Sequence, residues 1–135
     1  MRLSPAAGLK NDLLTVKYKI KQMKIAFTTK GKDWDSMMDP RFGRTEYFLV
    51  YDDETNKIIT EDNNDSTQEA HGAGPKTAQK LFDLQAKVLI TGNGPGGNAG
   101  VVLEKAGIEI YTGAGEMTVK QAYEAFKNKK LPLFK

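Results

Sequence analysis

The hydrophobic positions of the first half of the chain fall in short aliphatic runs that are typical of strands. A polar stretch at residues 52–56 separates the second run from the third and has the composition of a hairpin turn. The second and third strands should therefore pair antiparallel. The three predicted strands cover residues 24–29, 47–51 and 57–61.

Beyond a polar loop at residues 62–72, the pattern alternates between helices and strands. Pro75 suits the first turn of a helix that presents Ala78, Leu81 and Phe82 on one apolar face. Two short aliphatic runs further on predict strands at residues 87–91 and 108–111. Between them, apolar residues at helical spacing predict a second helix over residues 98–106, which Gly107 ends.

The last helix has the clearest start signal. Thr118 and Gln121 have the spacing of a capping box, and Val119, Ala122 and Phe126 follow on one face. A hairpin followed by β-α-β-α units predicts an α/β fold. We expect a mixed five-stranded sheet with one antiparallel strand and helices on both faces, ribonuclease H-like in outline.

The charge of the chain is concentrated at its start. The full sequence of 135 residues carries a net charge of +3, but residues 1–22 alone carry +4 and the remainder −1. This distribution removes the main support for nucleic-acid binding, and no apolar run has the length of a membrane span.

We expect residues 1–22 to be a poorly ordered extension, although Val16, Tyr18 and Ile20 alternate with lysines as an edge strand would. Residues 23–135 form the predicted domain.

A glycine-rich loop follows the fourth predicted strand and is the first candidate site. Gly92, Gly94, Gly96 and Gly97, together with Asn93, expose backbone N–H groups at the start of the next helix, which favours an anionic ligand. The spacing matches neither the phosphate-binding loop nor the dinucleotide fingerprint. A tight turn that needs glycine for geometry alone is an equally good interpretation.

Two further candidates lie in polar loops. Arg41 and Arg44 flank Phe42 and offer guanidinium groups to an anion, with Phe42 as a further candidate contact. Alternatively, Phe42 fills the core and the arginines pair with neighbouring carboxylates such as Asp39 or Glu46. His71, the sole histidine, stands beside Gly72 just before the first helix, where an imidazole can bind a metal or carry a proton. The alternative is a residue that merely flanks the helix and has no ligand.

Enzyme chemistry is hard to build from these residues. The chain has no cysteine, so thiolate catalysis and cysteine-ligated clusters are excluded. The first strand contains no carboxylate for two-metal hydrolysis, and one histidine could supply a general base at most. We expect a binding protein, not an enzyme, and the absence of cysteine is compatible with the cytoplasm.

In these residues the chain resembles the dinitrogenase iron–molybdenum cofactor biosynthesis family. Its NifX/NifY-type domain is also found at the end of NifB proteins. Six segments carry the resemblance, in this order: Met23-Lys24-Ile25-Ala26, Asp39-Pro40-Arg41-Phe42-Gly43-Arg44, His71-Gly72, Val88-Leu89-Ile90-Thr91-Gly92 with Gly94-Pro95 and Ala99, Gly107-Ile108-Glu109-Ile110-Tyr111, and Gly115 with Thr118-Val119 and Ala122.

The resemblance implies a ribonuclease H-like fold without nuclease activity. It also implies a carrier role for a preformed iron–sulfur or iron–molybdenum-type cluster, with cofactor-assembly proteins as partners. His71 becomes the leading candidate ligand to the metal. A small-anion-binding regulatory module, or a protein-interaction module without metal cargo, is the alternative.

Overall fold

The structure is a computed structural model that describes residues 23–63 and 73–134. Five strands and three helices make up this part of the chain. In order they are β1 (Lys24–Thr29), β2 (Tyr47–Asp52), β3 (Lys57–Asp62), α1 (Ala73–Asp83), β4 (Val88–Ile90), α2 (Gly97–Lys105), β5 (Glu109–Tyr111) and α3 (Val119–Lys127).

The five strands form one mixed sheet in the order β3-β2-β1-β4-β5. β2 runs antiparallel to both of its neighbours, β1 and β3, whereas β1, β4 and β5 are parallel. The predicted mixed five-stranded sheet with one antiparallel strand is confirmed. Its strand order is compatible with the ribonuclease H-like class.

The sheet separates two hydrophobic cores. On one face, Leu81 of α1 and Leu103 of α2 pack over Ala26, Phe48 and Leu89. On the other face, Val119 and Ala122 of α3 pack over Phe27, Leu49 and Ile90. All ten of these core residues are less than 3% exposed. Successive strand residues point to opposite faces, so the short continuous apolar runs are buried on both sides and helices cover both faces, as predicted.

An aromatic cluster extends the α3 core towards the surface. The ring of Trp34 lies 5.0 Å from that of Tyr51 and 5.6 Å from that of Tyr123, measured between centroids. Phe27 meets Trp34 edge-on at 6.1 Å. Such edge-to-face contacts stabilise the fold by more than the burial of apolar area alone. They join α3 to β1, β2 and the loop that follows β1.

Two expectations need correction. Phe82 was expected on the buried face of α1, but it is 54% exposed and lines a cavity of about 750 Å³ at the amino end of the sheet. The fourth and fifth strands are also shorter than predicted, although Thr91 still donates its N–H to Tyr111 O beyond the last ladder residue. The predicted extension, residues 1–22, lies outside the described residues.

Within the part of the chain that the structure describes, no helix is both long and apolar enough to cross a membrane.

Candidate functional site

Three loops meet at the carboxyl ends of the parallel strands. The loop after β1 and the glycine loop after β4 are joined by the Asn93 N–H, which donates to Pro40 O at 2.7 Å. The loop after β5 joins them, because the Gly113 N–H donates to Gly92 O at 3.0 Å. In open α/β sheets ligands bind at this edge. The arginine loop (Asp39–Arg44) and the glycine loop (Gly92–Gly97) both lie there.

A buried polar network lies beneath these loops. The Thr28 hydroxyl oxygen is 2.7 Å from Asp39 O and 2.8 Å from the Thr91 hydroxyl oxygen, and all three residues are fully buried. A hydroxyl has one proton, so Thr28 donates to the Asp39 carbonyl and accepts from Thr91. The network fixes the ends of β1 and β4 against the arginine loop. It was not predicted, because threonine is also an ordinary strand residue.

The Arg41 side chain is held by Asp39. Arg41 Nε lies 2.9 Å from Asp39 Oδ1 and Nη2 lies 2.9 Å from Oδ2, a bidentate pair in which the carboxylate is fully buried and the arginine side chain is 53% exposed. Burial alone would raise the pKa of Asp39, but hydrogen bonds and the charge of Arg41 outweigh it and lower this pKa. The same hydrogen bond raises the pKa of Arg41.

The Arg41–Asp39 pair therefore stabilises the loop and also leaves a positive charge at the surface. Two of the five guanidinium N–H donors are used by Asp39, and the half-exposed face retains the others. The alternative in which Arg41 pairs with a neighbouring carboxylate is thus present in the structure. It does not remove the guanidinium from the surface.

Phe42 lies in the hydrophobic core. It is 4% exposed and its ring stands 6.0 Å from that of Phe48. The side chain was a candidate ligand contact, and the structure instead places it beneath the loop, as the core-filling alternative expects. Arg44, two residues on, is exposed.

Two of the four loop glycines are explained by packing within the chain. A Cβ on Gly92 would stand 2.6 Å from Pro40 Cα and 2.8 Å from Gly115 Cα, so only glycine fits where the three loops touch. A Cβ on Gly94 would collide with the ring of Phe134. Packing within the chain is therefore enough to require glycine at both positions.

Gly96 and Gly97 are different, because no atom lies within 4 Å of the place where a Cβ would stand. Both line a cavity of about 570 Å³ between α2, β5 and the carboxyl-terminal segment. Arg41 and Arg44 are not among its lining residues, whereas Glu104 and Glu109 are. Gly96 caps α2 without a side-chain hydrogen bond, so no capping side chain accepts from the first N–H groups of this helix.

The family model for "Dinitrogenase iron-molybdenum cofactor" matches residues 23–129. The chain belongs to the dinitrogenase iron–molybdenum cofactor family. This confirms the resemblance inferred from the motifs.

Two solved structures of similar proteins support the family and the fold. The apo form of the orange protein from Desulfovibrio gigas is 38% identical, with a TM-score of 0.79 over 83% of this chain and 92% of that one. A putative NifB protein from Thermotoga is 37% identical, with a TM-score of 0.71 over 82% and 92% of the two chains. An uncharacterised protein of Methanocaldococcus jannaschii is 28% identical over 86% of this chain and 95% of its own length.

The sole histidine of this family member, His71, and its neighbour Gly72 lie outside the described residues. The residues on either side of the gap are fixed at the same carboxyl edge. Asn63 Nδ2 donates to Gly43 O at 3.2 Å, and the Thr77 hydroxyl of α1 donates to the same carbonyl at 3.1 Å. The polypeptide thus leaves β3 and enters α1 beside the arginine loop.

Among the described residues there is no group of three or more histidine, aspartate, glutamate or cysteine side chains that could hold a metal ion. What this part of the edge offers is a guanidinium, backbone N–H groups and open space over Gly96 and Gly97. Such donors suit a preformed anion better than a bare cation.

Proposed function

We propose that this protein is a non-enzymatic, cytoplasmic carrier for a preformed iron–sulfur-type metallocluster, either an iron–molybdenum cofactor or a precursor of it. The observation that carries the proposal is the convergence of the Arg41 loop and the Gly92–Asn93 backbone at the carboxyl edge of the sheet, in a chain of this family. Cofactor-assembly proteins are its expected partners.

The residues at the carboxyl edge of the sheet suit a preformed cluster that already contains its sulfide ions. The chain has no cysteine to supply thiolate ligands. An anionic cluster would be attracted by Arg41, with Arg44 in the same loop, and by the N–H groups at the start of α2. Glu104 and Glu109 would repel it from the interior of the cavity, which favours binding at the rim.

His71 is the proposed ligand to the metal. It precedes α1 by two residues, and the Thr77 contact fixes that helix against the arginine loop. A neutral imidazole is a good ligand for iron. With one side-chain ligand the cargo is held loosely, which suits a carrier that must release it.

The test is anaerobic addition of an isolated iron–sulfur precursor cofactor, followed by gel filtration and measurement of the iron retained. Wild type should retain iron, His71→Ala should lose most of it, and Arg44→Gln should retain less. Lys87→Gln is the matched control, because it removes an exposed positive charge at the opposite, amino end of β4. Failure of wild type to retain iron would refute the carrier function, and equal retention by His71→Ala would refute the ligand assignment.

A small-anion-binding regulatory module is the second candidate, favoured by the half-exposed Arg41 guanidinium and by the absence of a side-chain cap at the start of α2. Thermal-shift measurements with phosphate, nucleotides and carboxylates distinguish the two. Stabilisation by such anions with no retention of cluster would favour this second function.

A further inference from the structure

β3 is an outer strand of the sheet and carries exposed aliphatic side chains. Ile58 is 36% exposed and Ile59 is 50% exposed, one on each face of the strand. Natural sheets usually protect an outer strand, because its unpaired N–H and C=O groups can pair with another chain. An outer strand with two exposed isoleucines is a candidate interface.

The register of β2 and β3 shows which backbone groups point away from the sheet. Asn63 donates its N–H to Glu46 O, and the ladder continues with Glu61 opposite Phe48 and Ile59 opposite Val50. Hydrogen-bonded pairs alternate along an antiparallel ladder, so these odd-numbered residues bond inward. The N–H and C=O groups of Ile58 and Thr60 therefore point outward.

We propose that two copies of this chain pair antiparallel along β3, with Ile59 opposite Ile59 at the twofold axis. In this register Ile58 of one copy exchanges both backbone hydrogen bonds with Thr60 of the other. On the face that holds Ile59, Lys57 stands opposite Glu61 of the second copy, and the symmetry repeats this pair. Among the described residues neither Lys57 nor Glu61 has an ion-pair partner, so each is available to the second copy.

The two neighbouring registers of the same parity fit less well. Ile59 would face Glu61 if Thr60 lay opposite Thr60, and it would face Lys57 if Ile58 lay opposite Ile58. The Lys57–Glu61 pairs would be lost in both. The cross-strand charge pairs therefore select the register with Ile59 opposite Ile59. The inference is independent of the proposed cargo, which lies at the carboxyl ends of the strands.

The first experiment exchanges the two charges in the full-length protein. Wild type should be dimeric by sedimentation equilibrium. Lys57→Glu and Glu61→Lys should each raise the dimer dissociation constant about tenfold or more, because two attractive cross-strand pairs become repulsive. The double variant Lys57→Glu with Glu61→Lys should restore wild-type dimerisation, since it exchanges the charges without changing their complementarity.

The second experiment uses the absence of cysteine from the chain. Ile59→Cys should form a disulfide-linked dimer on mild oxidation, since residues at a pair without hydrogen bonds have Cα atoms about 4.5 Å apart, within the range of a disulfide. Ile58→Cys is the matched control. Two copies of that residue would be offset by two positions across the axis and should stay unlinked.

Three results would overturn the proposal. The first is wild type that remains monomeric at millimolar concentration. The second is cross-linking of Ile58→Cys as readily as of Ile59→Cys. The third is a double charge exchange that fails to restore the dimer while circular dichroism shows a folded protein. The first result would also be obtained if residues 16–20 of the same chain occupied this edge.

Discussion

Asp39 organises the arginine loop through all of its acceptors. Besides the Arg41 guanidinium, its carboxylate accepts the backbone N–H of Arg41 at 3.0 Å and that of Glu46 at 3.3 Å. Its own backbone carbonyl is bound by Thr28. One buried carboxylate thus sets the position of a loop that carries two candidate ligands of the proposed cargo.

Asp39→Asn should lower the free energy of unfolding at pH 7 by about 1–3 kcal/mol, because charge-assisted hydrogen bonds become neutral ones. Since the folded-state pKa of Asp39 is lowered, its contribution is fully present above the unfolded-state pKa of about 3.9 and is lost as the pH falls through the folded-state value. The difference between wild type and variant, measured by urea denaturation, should be constant from neutral pH to about pH 5 and shrink below it. A difference that persists unchanged into strong acid would contradict this account.

Gly92 and Gly97 should respond differently to the same substitution. Gly92→Ala places a Cβ against two backbone atoms and should destabilise the protein by about 1–3 kcal/mol through overpacking. Gly97→Ala meets open space in the first turn of α2, so its thermal midpoint should equal or exceed that of wild type. Equal losses at both positions would show that the contact of the three loops is not what requires Gly92.

At the scale of elements, α3 begins where its sequence predicts. The Thr118 hydroxyl accepts the Gln121 N–H at 3.2 Å, and Gln121 Oε1 accepts the Thr118 N–H at 2.9 Å, which completes the predicted capping box. Thr118→Ala should cost about 1 kcal/mol of stability in urea denaturation. Gln121→Glu keeps the reciprocal bond and should be close to neutral. An equal loss in both variants would argue against the cap.

The strands and helices were predictable because their signals are local. β1 has the predicted bounds, and β2 and β3 each extend one residue further. Phe82 was not predictable, because helical spacing gives the face of a residue but not whether a partner covers that turn. The Thr28–Thr91 bond was equally hidden, since it joins residues far apart in sequence.

For the whole molecule, the sequence predicted the strands and helices but not how the loops between them pack. The parallel order of β1, β4 and β5 brings the arginine and glycine loops together. Pro40 and Gly115 then occupy the space beside Gly92, and Phe134 occupies that beside Gly94. Contacts of this kind depend on loop conformation, and the composition of the loop alone equally suits a ligand cradle.

Trp34 is the sole tryptophan of the chain, and its place in the aromatic cluster gives the protein an intrinsic optical reporter. Tyr51 and Tyr123 are close enough to transfer excitation energy to its indole. The fluorescence of Trp34 will therefore show whether α3 remains packed against the sheet. It will be largely insensitive to α1 and α2 behind the sheet, so loosening of that layer must be followed by another spectroscopic signal.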